Sequence, residues 1–193
     1  PNTLLILVCD RVSALLPTVR SRCQKLNFGQ PDRELSLSWL SGNLADVADA
    51  ESLLDFSQDR PLLAAACADG EFLAERDVLA EGLRRISQRQ GVAVEVAAEL
   101  APYDAVELLD ILLFWLHDLV RLSMTQDEKS IKNKDMGDLF KEISTNIEQR
   151  GLFEFIDEVT QERSAVLGPS NPNKQLLLEH VMIRWSELVR RVG

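Results

Sequence analysis

Only three cysteines, two histidines and one tyrosine occur among the 193 residues, and each scarcity closes off a class of chemistry. Cys9, Cys23 and Cys67 are odd in number, far apart and without nearby histidines, so neither a disulfide framework nor a zinc pattern is expected. A reducing, cytoplasmic compartment suits such thiols. His117 and His180 fall on separate expected helices among apolar neighbours, where an imidazole far more often rims a surface than ligates a metal or acts as a base. The nine glycines form neither a Gly-x-x-x-x-Gly-Lys-Ser/Thr loop nor a Gly-x-Gly-x-x-Gly turn, so no phosphate-cradling loop is assigned. The longest apolar stretch, Leu108 to Leu122, is broken by Asp110, His117, Asp118 and Arg121 and is too short to span a bilayer, so no membrane segment is expected. Positive charge is also scarce. With 21 Lys and Arg against 31 Asp and Glu, the net charge is −10, which excludes a surface that grips nucleic-acid phosphates at large.

What remains is a globular composition, 46% hydrophobic and 27% charged. Pro1 and Asn2 run without an initiator Met into Thr3 and the apolar run Leu4 to Val8, so a piece of a longer chain is expected. A short continuous apolar run bounded by polar residues predicts a strand buried on both faces of a parallel sheet. A short helix or turn at Ser13 to Leu16, a break at Pro17, a second helical stretch and an edge or returning strand at Lys25 to Phe28 should follow.

From Gly29 the texture turns helical. Pro31, with Asp32 and Glu34 behind it, marks a helix start that Gly42 and Asn43 should close. Helices over Ala45 to Ser57 and Pro61 to Ala68 complete a small unit. Leu79, Leu83 and Ile86 give helical spacing to Phe72 to Arg89, with Gly91 as its stop, and Val92 to Ala101 follows. Tyr103 to Met124 is apolar nearly all round, as befits the central helix of a bundle. Gln126 to Lys134 reads as a solvated, mobile loop. Met136, Leu139, Phe140, Ile143 and Ile147 mark a helix capped by Asp135 and ended by Arg150 and Gly151, and Leu152 to Leu167 forms another, ending at Gly168 and Pro169. The last helix opens at Asn171 and Pro172 and carries a stripe of Leu178, Val181, Met182, Trp185, Leu188, Val189 and Val192. That stripe either packs inside the bundle or leaves residues over for neighbouring chains. The adjacent acids Asp127 and Glu128, and Asp157 and Glu158, point apart and should be solvated.

One segment concentrates arginine in this acidic chain: Leu15-Leu16-Pro17-Thr18-Val19-Arg20-Ser21-Arg22-Cys23-Gln24. Together with the run before it, it resembles the sensor-1 strand and Ser-Arg-Cys motif of clamp-loader subunits of the AAA+ class. The Pro1-Asn2-Thr3 lead-in, and Asn173-Lys174-Gln175-Leu176-Leu177-Leu178-Glu179 with Ile183-Arg184-Trp185, are similar to the delta-prime family of the bacterial DNA polymerase III clamp loader. The resemblance implies a mainly α chain in three parts: 1–29 as the end of an α/β AAA+ core with its remnant strand, 30–70 as a three-helix lid, and 71–193 as a helical collar for oligomerisation.

It also implies a role. Such a subunit hydrolyses no ATP itself, assembles with gamma or tau and delta subunits, and presents an arginine to ATP bound by a neighbour. It helps to load the sliding clamp on primer-template DNA within a nucleotidyltransferase holoenzyme. Arg22 is the candidate arginine finger. Ser21, Cys23 and Arg20 are its supports: Ser21 bonds backbone, Cys23 packs, and Arg20 stands beside the finger. No cofactor is expected on this chain. The sensor positions of ATP-hydrolysing relatives read Cys9-Asp10-Arg11 and Ser57-Gln58-Asp59-Arg60-Pro61 here and match neither pattern, so no sensor role passes to Arg60. Two other readings stay open: an ATP-hydrolysing subunit of the same class, and a plain helical interaction module.

Overall fold

A computed structural model describes residues 4–9, 15–29, 31–44, 50–57, 59–68, 70–144, 147–170 and 172–190. The chain divides into two units, 1–30 and 31–193.

In the first unit the only regular element described is one turn of helix, α1 (Pro17–Arg20), with Pro17 in its first turn, where a missing N–H costs nothing. The strand expected at Leu4 to Val8 is absent, and these side chains are exposed. Lys25 to Phe28 is likewise irregular and exposed. Strand backbone groups pair only with a neighbouring strand, and the described residues contain none. The turn or helix expected to begin at Ser13 lies largely outside the described residues.

The second unit is helical throughout. Its helices are α2 (Arg33–Asn43), α3 (Ala50–Phe56), α4 (Pro61–Ala66), α5 (Gly70–Ser87), α6 (Ala93–Leu100), α7 (Ala105–Thr125), α8 (Gly137–Ser144), α9 (Gln149–Leu167) and α10 (Lys174–Arg190). Asp32, not Pro31, starts α2: its carboxylate accepts the amides of Glu34 and Leu35. The helix expected from Ala45 is described only from Ala50. α5 is closed by Arg89 in the left-handed region, φ 59°, with the amides of Gln90 and Gly91 returning to the Arg85 carbonyl. Gly91 therefore follows the stop rather than making it.

α7 is the axis of the unit. Asp104 caps it, accepting the amides of Val106 and Glu107 at 2.8 and 3.0 Å, and Gln126 closes it with φ 55°. Leu108, Ile111, Leu112, Trp115, Leu116 and Leu119 are all buried, as a helix apolar nearly all round requires. α9 packs along α7, and α10 packs on α5, α6 and α9. One hydrophobic core runs from Leu40 on α2 to Val189 on α10. The edge-on rings Phe72, Phe56 and Phe114 join α5, α3 and α7 within it. No helix among the described residues is long and apolar enough to cross a membrane.

Four expectations are corrected here. Residues 126–134 are not a free solvated loop: they contain a 3-10 turn at Glu128–Ser130, bury Ile131 and Asn133, and lead into a second turn at Lys134–Met136. Asp135 lies in that second turn, and α8 begins only at Gly137. Arg150 and Gly151 do not end a helix but lie in the first turn of α9, where a Cβ on Gly151 would stand 3.2 Å from Leu188 Cδ1. Asn173, not Pro172, sits at the start of α10, its side-chain oxygen accepting the Leu176 amide at 3.1 Å.

Candidate interaction surfaces

The arginine-bearing turn follows directly from its sequence. Pro17 fixes the first turn, the Ser21 amide returns to the Pro17 carbonyl, and the Arg22 amide returns to Val19 at 3.1 Å. The Ser21 hydroxyl and Arg22 Nη1 both donate to the Thr18 carbonyl at 3.2 Å. Thus Ser21 bonds backbone, as its residue type suggests. Arg20, Arg22 and Cys23 are exposed, so the packing expected of Cys23 is not present within this unit. No carboxylate among the described residues pairs with Arg22. Its guanidinium keeps most of its five donors for an outside acceptor.

Of the two sensor positions, Cys9 is exposed, whereas Asp10 and Arg11 lie outside the described residues. Arg60 turns inward. Its Nε donates to the Ser57 carbonyl at 3.1 Å and its guanidinium stands 5.8 Å from the centre of the Phe114 ring. Asp59, at φ 60°, receives Arg33 from α2 and, at 3.4 Å, Lys132.

The expected stripe on α10 is spent inside the bundle: Leu178, Val181, Met182, Trp185, Leu188 and Val189 are buried, and Val192 lies outside the described residues. Trp185 Nε1 donates to the Leu83 carbonyl at 3.3 Å, which ties α10 to α5. What α10 leaves uncovered is Leu176 and Ile183, seven residues apart, with Phe153 exposed on α9. Glu158, expected to be solvated, holds Arg184 through two bonds of 2.7 Å. Arg184 also bonds Glu187, and the hydrogen bond to Glu158 is the main reason its guanidinium is held more firmly protonated. That same bond lowers the Glu158 carboxyl. His117 Nδ1 lies 2.6 Å from its own helix's Leu113 carbonyl, and His180 Nδ1 lies 3.0 Å from Glu162 Oε1, so both imidazoles are satisfied at the surface. Among the described residues no His, Cys, Asp and Glu cluster is arranged to hold a metal ion.

A second site was not legible in the sequence. A cleft of about 380 Å³ opens between α3, α4, α5 and the start of α7, walled by Phe56, Phe72, Tyr103 and Phe114. Glu75 lies at its floor, 4% exposed, and its Oε2 has no hydrogen-bond partner. Burial, and next the neighbouring Glu107 carboxyl, push Glu75 up to about 7. Burial likewise pushes the Cys67 thiol up to about 11. The spacing of Glu75 marks it as an α5 residue but cannot reveal that Glu107 faces it from another helix.

These features belong to a known lineage. The family described as "DNA polymerase III, delta subunit, C terminal" matches residues 70–187, the run from α5 to the last turn of α10. Over 189 residues, 97% of the chain, it is 30% identical to the DNA polymerase III subunit delta′ of Pseudomonas aeruginosa strain PAO1, and covers 58% of that protein. It is 28% identical over 182 residues to the subunit delta′ of Haemophilus influenzae strain Rd, covering 92% of the chain and 54% of the relative. With the Yersinia pestis subunit delta′ the identity is 25% over 190 residues, 95% of the chain and 55% of the relative. The chain thus spans about half the length of the curated relatives it matches, and with its helical bundle from α5 to α10 it belongs to the family of delta-type C-terminal regions of DNA polymerase III.

Proposed function

We propose that this chain forms the lid and collar of a delta-prime-type clamp-loader subunit that assembles with ATP-hydrolysing gamma or tau subunits and with delta in DNA replication. The observation that carries the reading is similarity to three delta′ subunits over more than nine-tenths of the chain. The uncovered apolar residues Leu176 and Ile183 on α10 support a collar that packs against neighbouring subunits. In this reading sliding clamp and primer-template DNA are reached through the assembled complex, in keeping with a net charge of −10, and the compartment is the cytoplasm.

Within that assembly Arg22 acts as an arginine finger in trans. An exposed guanidinium on a proline-started turn, bonded among the described residues to the Thr18 carbonyl, presents a planar fork of donors to the γ-phosphate of ATP held by the neighbour. There it neutralises charge that grows in the transition state, an effect on the order of 10³ to 10⁵ in rate for such fingers. The subunit itself hydrolyses nothing. Ser21 fixes the turn by its bond to Thr18, and Arg20 adds positive charge at the same interface.

The experiment is Arg22→Ala in the full-length protein, assembled with its partners. ATPase activity falls while the mass of the complex, read by light scattering after size exclusion, is unchanged; Arg22→Lys does not restore the rate. An unaltered ATPase removes the finger. Failure of the unsubstituted full-length chain to join gamma or tau subunits removes the clamp-loader reading altogether and leaves a helical interaction module.

A further inference from the structure

No residue of α10 lines the cleft over Glu75, and nothing in the proposed function uses it. Its walls are apolar and largely aromatic, and its charge is of one sign. Glu75, Asp104 and Glu107 converge on it, and no basic side chain among the described residues pairs with any of the three. Asp104 is partly engaged in capping α7, and Asp110 at the far end is already taken by Arg163, whose Nη2 stands 2.9 Å from Oδ2. Glu75 is different. Buried to 4% exposure, it keeps one carboxylate oxygen with no donor at all. A buried acceptor without a partner is costly, and most native structures avoid it.

We propose that this cleft is a docking site for an arginine side chain presented by a partner protein. Two requirements select that occupant. The floor calls for donors, and a guanidinium supplies several in one plane, enough to serve the Glu75 and Glu107 carboxylates that line the cleft together. The walls call for a flat, weakly hydrated cation, since aromatic faces attract guanidinium better than they do a compact, strongly hydrated ammonium. The same ring cluster already holds two guanidinium groups from within the chain: Arg60 near Phe114, and Arg76 at 5.9 Å from the centre of Phe56. A bare metal ion does not suit, because no ligand cluster for one exists among the described residues.

Occupancy is linked to protonation. Burial, and next Glu107 on α7, hold Glu75 protonated into the neutral range, with Asp104 adding to the repulsion; a backbone hydrogen bond at Asp104 opposes it. Burial pushes up the thiol of Cys67 at the end of α4, and Arg60 beside Phe114 and Arg163 beside Asp110 are basic groups next to residues that line the cleft. Glu75 therefore changes charge near pH 7, and an arginine binds more tightly to its ionised form.

Tyr103, the single tyrosine of the chain, lines the cleft and can be ring-labelled selectively for NMR. The full chain is titrated with acetyl-Gly-Arg-Gly-amide and with the same peptide carrying citrulline, which has the shape of arginine without its charge. The arginine peptide should shift the Tyr103 ring signals saturably and the citrulline peptide should not. Affinity should rise from about pH 6 to about pH 8, and fall about tenfold in Glu75→Gln, the loss expected of one charge-assisted hydrogen bond. Glu107→Gln, at an exposed position, should weaken binding likewise and serves if Glu75→Gln fails to fold. Equal response to the two peptides, or unchanged binding in Glu107→Gln, overturns the proposal. So does binding of free argininamide as tight as that of the peptide, which would make the cleft a small-molecule site. Because no loader subunit is present, these outcomes are independent of the clamp-loader reading.

Discussion

Asp118 on α7 accepts, through Oδ2, both the backbone amide and the side-chain amide of Asn133, at 2.8 and 2.7 Å. The Lys132 amide adds a third bond at 3.2 Å, and Arg121 stands 3.1 Å from the other oxygen. This fully buried carboxylate is tolerated because three donors meet Oδ2 and the Arg121 charge stands beside Oδ1, which accepts no hydrogen bond. The consequence is that residues 131–133 are bound to the central helix, and Lys132 is thereby aimed at Asp59 beyond α3. Asp118→Ala should therefore lower stability by about 2 to 4 kcal/mol, since it strands two buried donors of Asn133. Thermal unfolding checks the size, roughly 5 to 15 °C for a chain of this length. Hydrogen exchange checks the place: the Asn133 amide should lose protection while α10 keeps its own.

At Gly82 α5 packs tightly against Val96 of α6. A Cβ there would meet Val96 Cγ1 at 2.5 Å, and Val96 is 1% exposed on a stiff β-branched side chain that cannot swing away. Gly82→Ala gains about 1 kcal/mol of helix propensity but overpacks this contact by about 1 to 3 kcal/mol, so the net change should be destabilising. Adding Val96→Ala should make the Gly82→Ala step favourable. A double-mutant cycle by urea unfolding measures the coupling, and strict additivity would show that the helices move apart at no cost.

Arg184 binds Glu158 across α9 and α10 with both side chains about 30% exposed, so solvent screening limits its worth to about 1 kcal/mol. Arg184→Met should show a loss of that size at neutral pH. Glu158 has its carboxyl lowered by the pair, so this stabilisation is present above the ordinary glutamate value and disappears as pH falls through the lowered one. Melting curves of both proteins should converge in acid.

Much of this architecture is legible in residue spacing, and what is not shares one cause. Leu79, Leu83 and Ile86 on α5, and Leu178 through Val189 on α10, bury as their periodicity requires, because an amphipathic stripe reports on the helix that carries it. Asp118 interrupts an apolar run and reads as a break, yet its partner lies fifteen residues on in a loop whose own composition says only that it is polar. Gly151 reads as a stop, but the reason for glycine there is Leu188 on another helix. Leu4 to Val8 errs in the other direction: the run has strand character, but a strand exists only by pairing. The arginine turn at 17–22 is local, and its bonds to Thr18 span three and four residues. Glu75 and Glu107 meet through the tertiary fold alone, and no local pattern announces them.

That meeting gives the protein a pH dependence of definite sign. In the unfolded chain Glu75 releases its proton near 4.5, whereas in the folded chain it does so at about 7. Between those values the folded state binds the extra proton, so this residue makes stability fall as pH rises through the interval, and the penalty is complete above the folded-state value. Gln carries the same shape without the charge and has no such slope. Glu75→Gln should accordingly gain stability relative to the parent on going from about pH 5 to about pH 8. Urea midpoints at the two pH values measure the gain. A difference that is the same at both would mean that Glu75 ionises inside the fold as it does in water, and that its carboxylate already has the cation it lacks here.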